Sequence, residues 1–489
     1  MSKKLNPRQR DFFNQITSLA FVNPFSKERE QADCDLLNIA TGKLNLLQRT
    51  EIIQKLLQDQ LKQLEGVTGV QISQFQGKTQ EIIKLAWLFY QYHEFQEQFN
   101  RFINKQNRKG EEPIELPFAK ELIRRFLCSG FTESEAERFI ALFYQLSRGF
   151  YFINSSISGD CPAIIQLRMH LWNNIFTFNP QWYLNYLCGK MEDFSTLLLG
   201  ATGTGKSLAA YAIGCSGFIP FDLEKKRFRE SFTRSYQAIN LSQYPASLLE
   251  SELFGHKKGA FTGAIEQHQG LFARCSAHGA VFIDEIGDID MPIQVKLLNV
   301  LQDRTFSPVG SHEKIRFSGR VISATNRNIE QLRKDEIFRD DLYYRLCSDV
   351  IVVPSLQQRI RENAKELGNL IAGLLKRIFD APDPQMVSRI EKRILNTVPA
   401  DYHWPGNVRE LEQCIRRICL VGYYNVSEQS NFTANNGFVL AENSGEGSVQ
   451  NLLKKYCDFL YQRHGSYEAV ARITQLDRRT AKKYIVSKE

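Results

Sequence analysis

The segment LLLGATGTGKS sets Gly200, Gly205, Lys206 and Ser207 in the spacing G-x-x-x-x-G-K-[ST]. An apolar run precedes the segment and the helix-forming run SLAAYAIG follows it, so we expect a turn between a buried strand and a helix. In such a turn the backbone N–H groups close around phosphates, the lysine meets their charges and the serine hydroxyl ligates magnesium. A glycine turn with a solvated lysine is the alternative. A second motif of a nucleotide site makes this alternative less favoured. The predicted phosphate-binding residues are Gly200, Ala201, Thr202, Gly203, Thr204, Gly205, Lys206 and Ser207.

The segment AVFIDEIGDI is that second motif, because its four apolar residues predict a buried strand that ends at Asp284 and Glu285. Ligand sites of open α/β sheets lie at this edge of the strands. We expect Asp284 to hold magnesium together with Ser207, and Glu285 to orient and polarise the attacking water. Adjacent acids could instead form a solvated turn. A third predicted strand ends in SATN, where Thr325 or Asn326 could contact the terminal phosphate or its water, a weak motif when taken alone. Together the motifs predict hydrolysis of a nucleoside triphosphate.

Changes in pattern along the chain predict a multidomain protein. Residues 1–155 are helical in pattern, and residues 156–355 alternate short β-rich runs with helical stretches, which is typical of a parallel sheet covered by helices. A second helical region covers residues 356–426. Residues 427–449 are rich in Ser, Asn and Gly and are predicted to be a linker. Residues 450–489 form a basic tail with nine Lys or Arg against four Asp or Glu.

An apolar stripe marks the first helical region. Its members follow the 4-3-4-3 spacing of one helix face, which predicts either the core of a helix bundle or the seam of a dimer. The bundle is favoured, because a sustained coiled coil needs more heptads than this. The stripe consists of Leu88, Tyr92, Phe95, Phe99 and Phe102.

Composition excludes several classes of protein. The 489 residues contain no apolar run as long as a membrane span, and the N-terminus lacks the apolar core of a signal peptide, so we expect a cytoplasmic protein without a membrane partner. The ten cysteines include no C-x-x-C pair, which argues against a zinc site. The net charge of +8 hints at an acidic partner, although such an excess more often serves solubility.

The segment KKGAFTGAIE predicts an outward loop, because Gly259 and Gly263 permit tight turns that leave Phe261 and Thr262 at its tip. From these residues alone, a surface turn whose phenylalanine folds back is the simpler interpretation. However, ESELFGHKKGAFTGA resembles the AAA+ bacterial enhancer-binding proteins, which activate RNA polymerase carrying the sigma-54 factor. The resemblance extends from about Ile157 to Leu411. It implies an α/β P-loop ATPase with a helical lid, ATP and Mg²⁺ as cofactors, and a loop that contacts sigma-54 through Gly259, Ala260, Phe261, Thr262, Gly263 and Ala264.

The resemblance also implies roles for residues that the bare sequence leaves unassigned. FRDDLYYRL is similar to the arginine-finger segment, so Arg339 and Arg345 are candidates to complete a neighbour's site in a homo-oligomeric, hexameric ring. WPGNVREL is similar to the lid sensor, which puts Arg409 near the nucleotide. Asn240 corresponds to the residue that couples Glu285 to the nucleotide state. Two positions depart from the family pattern, because Ala201 and Ser207 stand where acids are usual, and the aromatic segment between residues 161 and 196 is longer than usual.

The tail segment GSYEAVARITQLDRRTAKKYI predicts two short helices, capped by Ser466 and Asp477 and joined by a tight turn. The pattern resembles the Fis-type helix-turn-helix, with Gln475 at a turn position where glycine usually takes a left-handed conformation. A solvated basic helix is the alternative. The residues predicted to contact double-stranded DNA in the major groove are Arg478, Arg479, Thr480, Lys482 and Lys483.

The resulting prediction is a ring-forming AAA+ ATPase that binds upstream enhancer DNA and remodels closed complexes of sigma-54 RNA polymerase. Two alternatives remain. One is a DNA-binding regulator that acts by occupancy alone, and the other is a AAA+ unfoldase or chelatase subunit whose pore loop acts on a different client.

Overall fold

The structure is a computed structural model that describes residues 3–64, 69–379, 383–399 and 401–424, and most of 453–486, where 455, 458, 459 and 462–464 are excepted. The predicted linker at 427–449 lies outside the described residues. Two compact units are present. The first comprises residues 1–391 with 401–416, and the second comprises residues 392–400 with 417–489.

The first 156 residues form helices joined by short turns. Asn6, Asn45 and Thr132 begin three of these helices as reciprocal capping boxes, in which side chain and backbone satisfy each other's hydrogen bonds. The predicted stripe lies inside the bundle, with Phe95 and Phe99 fully buried, so it is a core and not a dimer seam. The helices are α1 (Pro7–Leu19), α2 (Lys27–Leu37), α3 (Leu46–Lys62), α4 (Gly77–Lys109), α5 (Ala119–Cys128) and α6 (Glu133–Ser156).

A five-stranded parallel sheet in the order β4-β5-β8-β1-β9 follows. The α/β domain with a parallel sheet that the sequence predicted is confirmed. Its strands are β1 (Thr196–Leu199), β4 (Tyr236–Asn240), β5 (Ala280–Asp284), β8 (Arg320–Thr325) and β9 (Asp349–Val352), and two small hairpins comprise β2 (Phe221–Asp222) with β3 (Arg227–Phe228), and β6 (Thr305–Phe306) with β7 (Ile315–Arg316). Its helices are α7 (Pro162–Phe176), α8 (Pro180–Trp182), α9 (Lys206–Gly214), α10 (Ala246–Phe254), α11 (Leu271–Arg274), α12 (Met291–Asp303), α13 (Ile329–Lys334) and α14 (Asp340–Leu346).

The lid and the tail are helical. The lid contains α15 (Leu356–Glu362), α16 (Glu366–Phe379), α17 (Pro384–Thr397) and α18 (Asn407–Val421). The tail contains α19 (Tyr467–Thr474) and α20 (Arg478–Val486). Among the described residues, no helix is both long enough and apolar enough to cross a bilayer, and no group of three or more His, Cys, Asp or Glu is placed to hold a metal ion.

One hydrophobic core passes through the predicted domain boundary at residue 155. It joins the N-terminal helices to one face of the sheet, where it includes Leu198, Phe282 and Ile322. Tyr144 on α6 stacks on Phe228 of β3 with ring centroids 3.9 Å apart. A second core on the opposite face of the sheet is shared with α10 to α14. The domain boundary at residue 155 therefore stays a prediction. The hydrophobic core continues across this position.

A buried arginine ties α6 to the helix that follows the phosphate loop. Arg148 is fully buried, lies 4.3 Å from the centre of the Tyr144 ring, and donates to the carbonyl oxygens of Cys215 (2.6 Å) and Gly217 (2.7 Å). These carbonyls lie just beyond the end of α9, where a helix leaves acceptors unsatisfied and where its dipole favours a cation. The N-terminal region thus supplies the cap of the P-loop helix.

The connection from α6 to α7, which includes the SSISGD segment of the predicted boundary, is held by the lid. Arg359 and Glu366 form a buried ion pair at 2.6 Å. Arg359 donates to the Ser158 carbonyl oxygen at 2.5 Å, and the Asp160 N–H donates to Glu366 at 3.1 Å. A side chain at Gly159 would overlap the Glu366 carboxylate, so only glycine fits there. The segment is therefore a packed joint rather than a free linker.

Candidate nucleotide site and sigma-54 loop

The phosphate loop lies between β1 and α9, as its sequence predicted. Gly203 and Gly205 have φ values of 78° and 107°, which favour glycine. The Lys206 ammonium donates to the carbonyl oxygens of Gly200 (2.8 Å) and Ala201 (3.3 Å), so it lies inside the loop. Burial lowers the pKa of Lys206, while the charges of Glu285 and Asp284 oppose that effect. The loop therefore has glycine turns and a buried ammonium group where a phosphate chain would lie.

The acidic pair stands beside this loop at the end of β5. The Ser207 hydroxyl is 3.5 Å from Asp284 Oδ2, which brings together the two oxygen ligands expected for magnesium. Glu285 has the left-handed φ of 58°, and its Oε2 is buried with no hydrogen-bond partner in the described structure. Burial and the charge of Asp284 raise the pKa of Glu285. An unpaired buried acceptor at this position suits a group that orients water.

Thr325 and Asn326, the two candidate residues at the end of β8, face in different directions. The Asn326 amide donates to the Thr202 hydroxyl of the phosphate loop at 2.8 Å. Thr325 is 1% exposed, and its hydroxyl accepts from the Arg327 N–H at 3.1 Å, so it faces the interior. Asn326 is therefore the one that reaches the loop.

Asn240 lies next to the acidic pair in the sheet, because β4 pairs with β5 so that Asn240 is opposite Asp284. Its side-chain oxygen accepts from the N–H (3.0 Å) and the hydroxyl (2.7 Å) of Ser242. Asn240 thus lies at the strand end beside the acidic pair, and its side-chain oxygen is bonded to Ser242.

The lid contacts the phosphate loop directly. The Val408 N–H donates to the Gly203 carbonyl at 3.1 Å, and a side chain at Gly203 would overlap the Gly406 carbonyl oxygen and lie 3.1 Å from Cβ of Arg409. Arg409 thus lies beside the loop, as the resemblance implied. Asn407, which the sequence analysis missed, donates to the Thr202 carbonyl at 3.0 Å and accepts from the Leu356 N–H at 2.8 Å. Its only sequence signal is its place in the WPGNVREL segment.

The two candidate finger arginines lie at the two ends of α14. Arg339 is partly exposed and pairs with Asp341, with its guanidinium nitrogens 3.0 and 2.7 Å from the carboxylate. Arg345 is exposed, and its backbone carbonyl accepts from the Ser195 hydroxyl. Among the described contacts, none joins either arginine to the phosphate loop of its own chain.

The GAFTGA segment forms a tight loop. Gly259 and Gly263 have φ values of 81° and 100°, and the Gly259 N–H donates to the Ala264 carbonyl at 2.8 Å. Phe261 is 39% exposed, with its ring centre 4.9 Å from that of His256, and Thr262 is exposed. The tip thus faces outward, although Phe261 also rests on its own domain.

The tail has the predicted caps and turn. Ser466 accepts from the Glu468 N–H at 3.3 Å, and Asp477 accepts from the N–H groups of Arg479 (2.9 Å) and Thr480 (3.0 Å). Gln475 has a φ of 57°, so the left-handed position is confirmed despite the missing glycine. The basic side chains predicted to contact DNA are exposed, namely Arg478, Arg479, Lys482 and Lys483.

Two family models match the region that carries these sites. Residues 188–352 match the sigma-54 interaction domain, and residues 361–435 match the AAA+ ATPase lid domain. The resemblance stated from the ESELFGHKKGAFTGA segment is therefore confirmed, as is the lid.

Several characterised regulators are similar over the same region. Regulatory protein AtoC of Escherichia coli is 36% identical over 251 residues, which are 50% of this chain and 50% of that protein. The Nif-specific regulatory protein of Azotobacter vinelandii is 40% identical over 227 residues, 46% of this chain and 40% of that protein. The DNA-binding transcriptional regulator NtrC of Azospirillum brasilense is 35% identical over 273 residues, 54% and 53% of the two chains. The chain spans about half the length of the curated relatives it matches.

Among solved structures, NtrX from Brucella abortus aligns with 72% of this chain and 74% of its own, at 20% identity and a TM-score of 0.41. A likeness at this level has no bearing on function.

Proposed function

The central region of this chain belongs to the sigma-54-dependent AAA+ activators, and on that premise we propose that the protein hydrolyses ATP to remodel a sigma-54 RNA polymerase complex. One observation carries the proposal. A phosphate cradle with its acidic pair and an outward-facing GAFTGA loop occur in the same compact unit. The protein would act in the cytoplasm as an activator.

The residues present fit ATP and Mg²⁺. The loop carbonyls that now accept from Lys206 would give way to phosphate oxygens, and Ser207 and Asp284 would hold the metal. Bound Mg²⁺ supplies charge neutralisation across the phosphates. Glu285 would hold the attacking water through its unpaired oxygen. The departures at Ala201 and Ser207 leave the backbone cradle and the lysine in place, so they do not argue against binding.

A short route joins the site to the loop. Asn240 lies beside Asp284, and between Asn240 and Gly259 the chain contains one turn of 3-10 helix and α10. A change at the nucleotide that moves Asn240 would therefore be passed along α10 to the base of the loop. Phe261 and Thr262 would then make the contact with sigma-54.

Assembly completes the proposal. Arg339 and Arg345 contact no phosphate loop residue of their own chain in the described structure, which suits a role across an interface in a homo-oligomeric ring of six subunits. The exposed basic side chains of α20 would hold the ring to upstream double-stranded DNA.

The loop is tested with Thr262→Ala. Because Thr262 lies outside the nucleotide site, ATPase activity should stay within about twofold of the native value, while transcription from a sigma-54 promoter should be lost. Thr41→Ala, an exposed threonine in the N-terminal region, is the matched control and should preserve both activities. Full activation by Thr262→Ala would show that the loop is not the contact. ATP hydrolysis without any activation by the native chain would favour a different client or action by occupancy.

A further inference from the structure

A cavity of about 150 Å³ lies between the N-terminal helices and α7, apart from the nucleotide site. Its wall is largely apolar, and aromatic side chains from three helices contribute to it. Phe89 and Tyr92 come from α4, Phe143 and Phe150 from α6, and Trp172 and Phe176 from α7. Leu47, at the start of α3, also lines it and is 65% exposed, which places the mouth of the cavity on the protein surface.

A few polar groups interrupt this apolar wall. Arg29 lines the cavity while its Nε donates to the buried Asp33 carboxylate at 2.8 Å. His93 and Gln96 also line it, with His93 Nδ1 3.2 Å from the Gln96 side-chain oxygen. Burial lowers the pKa of His93 to about 3, so its imidazole is neutral near pH 7 and offers a single hydrogen bond at its other nitrogen.

We propose that this cavity is a binding site for a small, neutral aromatic molecule of one or two rings that carries one hydrogen-bonding group. An apolar cavity of roughly 150 Å³ admits benzene, the smallest aromatic ring of this class. Aromatic walls favour edge-to-face and offset ring contacts. A charged ligand would lose its hydration among these apolar side chains. Arg29 would not compensate for that loss, because it is already paired with Asp33. One polar group suffices for the neutral histidine.

The cavity walls connect to the strand that enters the phosphate loop and to the far end of the helix that follows it. On α7, between Trp172 and Phe176, Asn174 donates to the Thr196 hydroxyl (3.0 Å) at the start of β1 and to Asp349 (2.6 Å) on β9. The strand β1 leads directly into the loop. A ligand that repositions α7 therefore acts on the entry to the cradle.

A second connection reaches the far end of α9, the helix that follows the phosphate loop. Tyr183 lines the cavity, and its hydroxyl bonds to the Gln145 amide, which also donates to the Ser216 carbonyl at 3.0 Å beyond the end of α9. The proposed site is thus placed to change nucleotide binding or turnover when it is filled.

Binding is tested on the full chain by titration calorimetry with indole and with indene, which has the same size but no N–H. Indole should bind saturably at one site per chain, and several-fold more tightly than indene. Absence of saturable indole binding would overturn the proposal. Equal affinity for the two probes would remove the hydrogen-bonding part of it.

The site is located with Leu146→Trp, because Leu146 lines the cavity and a larger side chain there fills it. Leu127→Trp is the matched control, since Leu127 is 41% exposed on α5 and does not line the cavity. Indole affinity should fall tenfold or more in the first variant and stay unchanged in the second. Val22→Phe fills the cavity from another wall and replaces Leu146→Trp if that variant does not fold. Unchanged affinity in a folded filling variant would show that the probe binds elsewhere.

The link to catalysis is a separate measurement, and it alone rests on the proposed function. Saturating indole should change the ATPase rate of the native chain by twofold or more and leave that of folded Leu146→Trp unchanged. Saturable binding with no change in rate would keep the site and reject its connection to the phosphate loop.

Discussion

Glu285 combines two costly features in one residue. Its left-handed backbone conformation is unfavourable for any residue other than glycine. Its buried Oε2 also lacks a hydrogen-bond partner in the described structure. Such strain and unsatisfied polarity cost roughly 1 to 3 kcal/mol each and concentrate at functional sites. The neighbouring β5 and β8 hold the residue in place, which makes it available to a water molecule.

Glu285→Gln should leave ATP affinity nearly native and reduce turnover by about 100-fold or more, because the amide keeps the shape but does not polarise water. ATP affinity and hydrolysis rate are measured on the same preparation. Glu224→Gln, an exposed glutamate after β2, should hydrolyse ATP normally. Native turnover by Glu285→Gln would remove the residue from its proposed role.

At the scale of residues, local spacing was enough to predict the candidate residues whose positions are fixed by the turn in which they lie. Gly200 to Ser207 and the Asp284–Glu285 pair lie at strand ends, where the chain itself fixes their position. Asn407 was not predicted, because its contacts with Thr202 and Leu356 join distant segments. The choice between Thr325 and Asn326 likewise depended on which side chain faces the interior. The strand β8 is buried along its whole length, so its sequence shows no alternation of buried and exposed residues.

At the scale of elements, the start of α18 is the part of the lid that contacts the phosphate loop. Its Asn407 is 2% exposed, accepts from the first N–H of α15 and donates to the loop. The Asn407 amide therefore joins the phosphate loop to α15, next to the hydrogen bond from Val408 to Gly203. Lid position and nucleotide affinity should change together.

Asn407→Ala should lower the free energy of unfolding by about 2 kcal/mol and weaken ATP binding, because it leaves the buried Leu356 N–H unsatisfied. Part of the effect would come from alanine at a φ of 51°. Asn407→Gly removes the same hydrogen bonds without that strain, so the difference between the two variants separates the causes. Thermal unfolding and ATP titration provide the measurements. Native values for both variants would contradict the role of this amide.

The parallel sheet and the lid could be predicted as elements because their apolar runs have clear periods. The aromatic segment between residues 161 and 196 could not. It forms α7, α8 and a π-helical turn at Tyr183–Leu187, and its aromatic side chains do not share one face. Trp172 and Phe176 line the cavity, whereas Phe178 and Trp182 are exposed. A sequence period cannot appear where neighbouring side chains serve different surfaces.

For the whole molecule, the proposed ring divides one active site between two chains, and mixing tests this. Lys206→Ala lacks the cradle but keeps Arg339, and Arg339→Ala has the opposite defect. Each variant alone should be nearly inactive, because an arginine finger contributes about a thousandfold or more to turnover. A mixture should recover partial ATPase activity at interfaces that pair an intact cradle with an intact arginine. Co-assembly without recovery would exclude Arg339 and make Arg345 the next candidate.

The packed joint between α6 and α7 also determines how the protein should meet a protease. A broad-specificity protease cuts exposed, yielding loops, and the SSISGD segment has the composition of such a loop. Here, however, Ser158 and Asp160 are bonded to the buried Arg359–Glu366 pair, and the core continues on both sides. Brief digestion should therefore leave the SSISGD segment uncut while exposed loops elsewhere are cleaved. Even if a cut were made in this segment, the two pieces should elute together, as a nicked but undivided body.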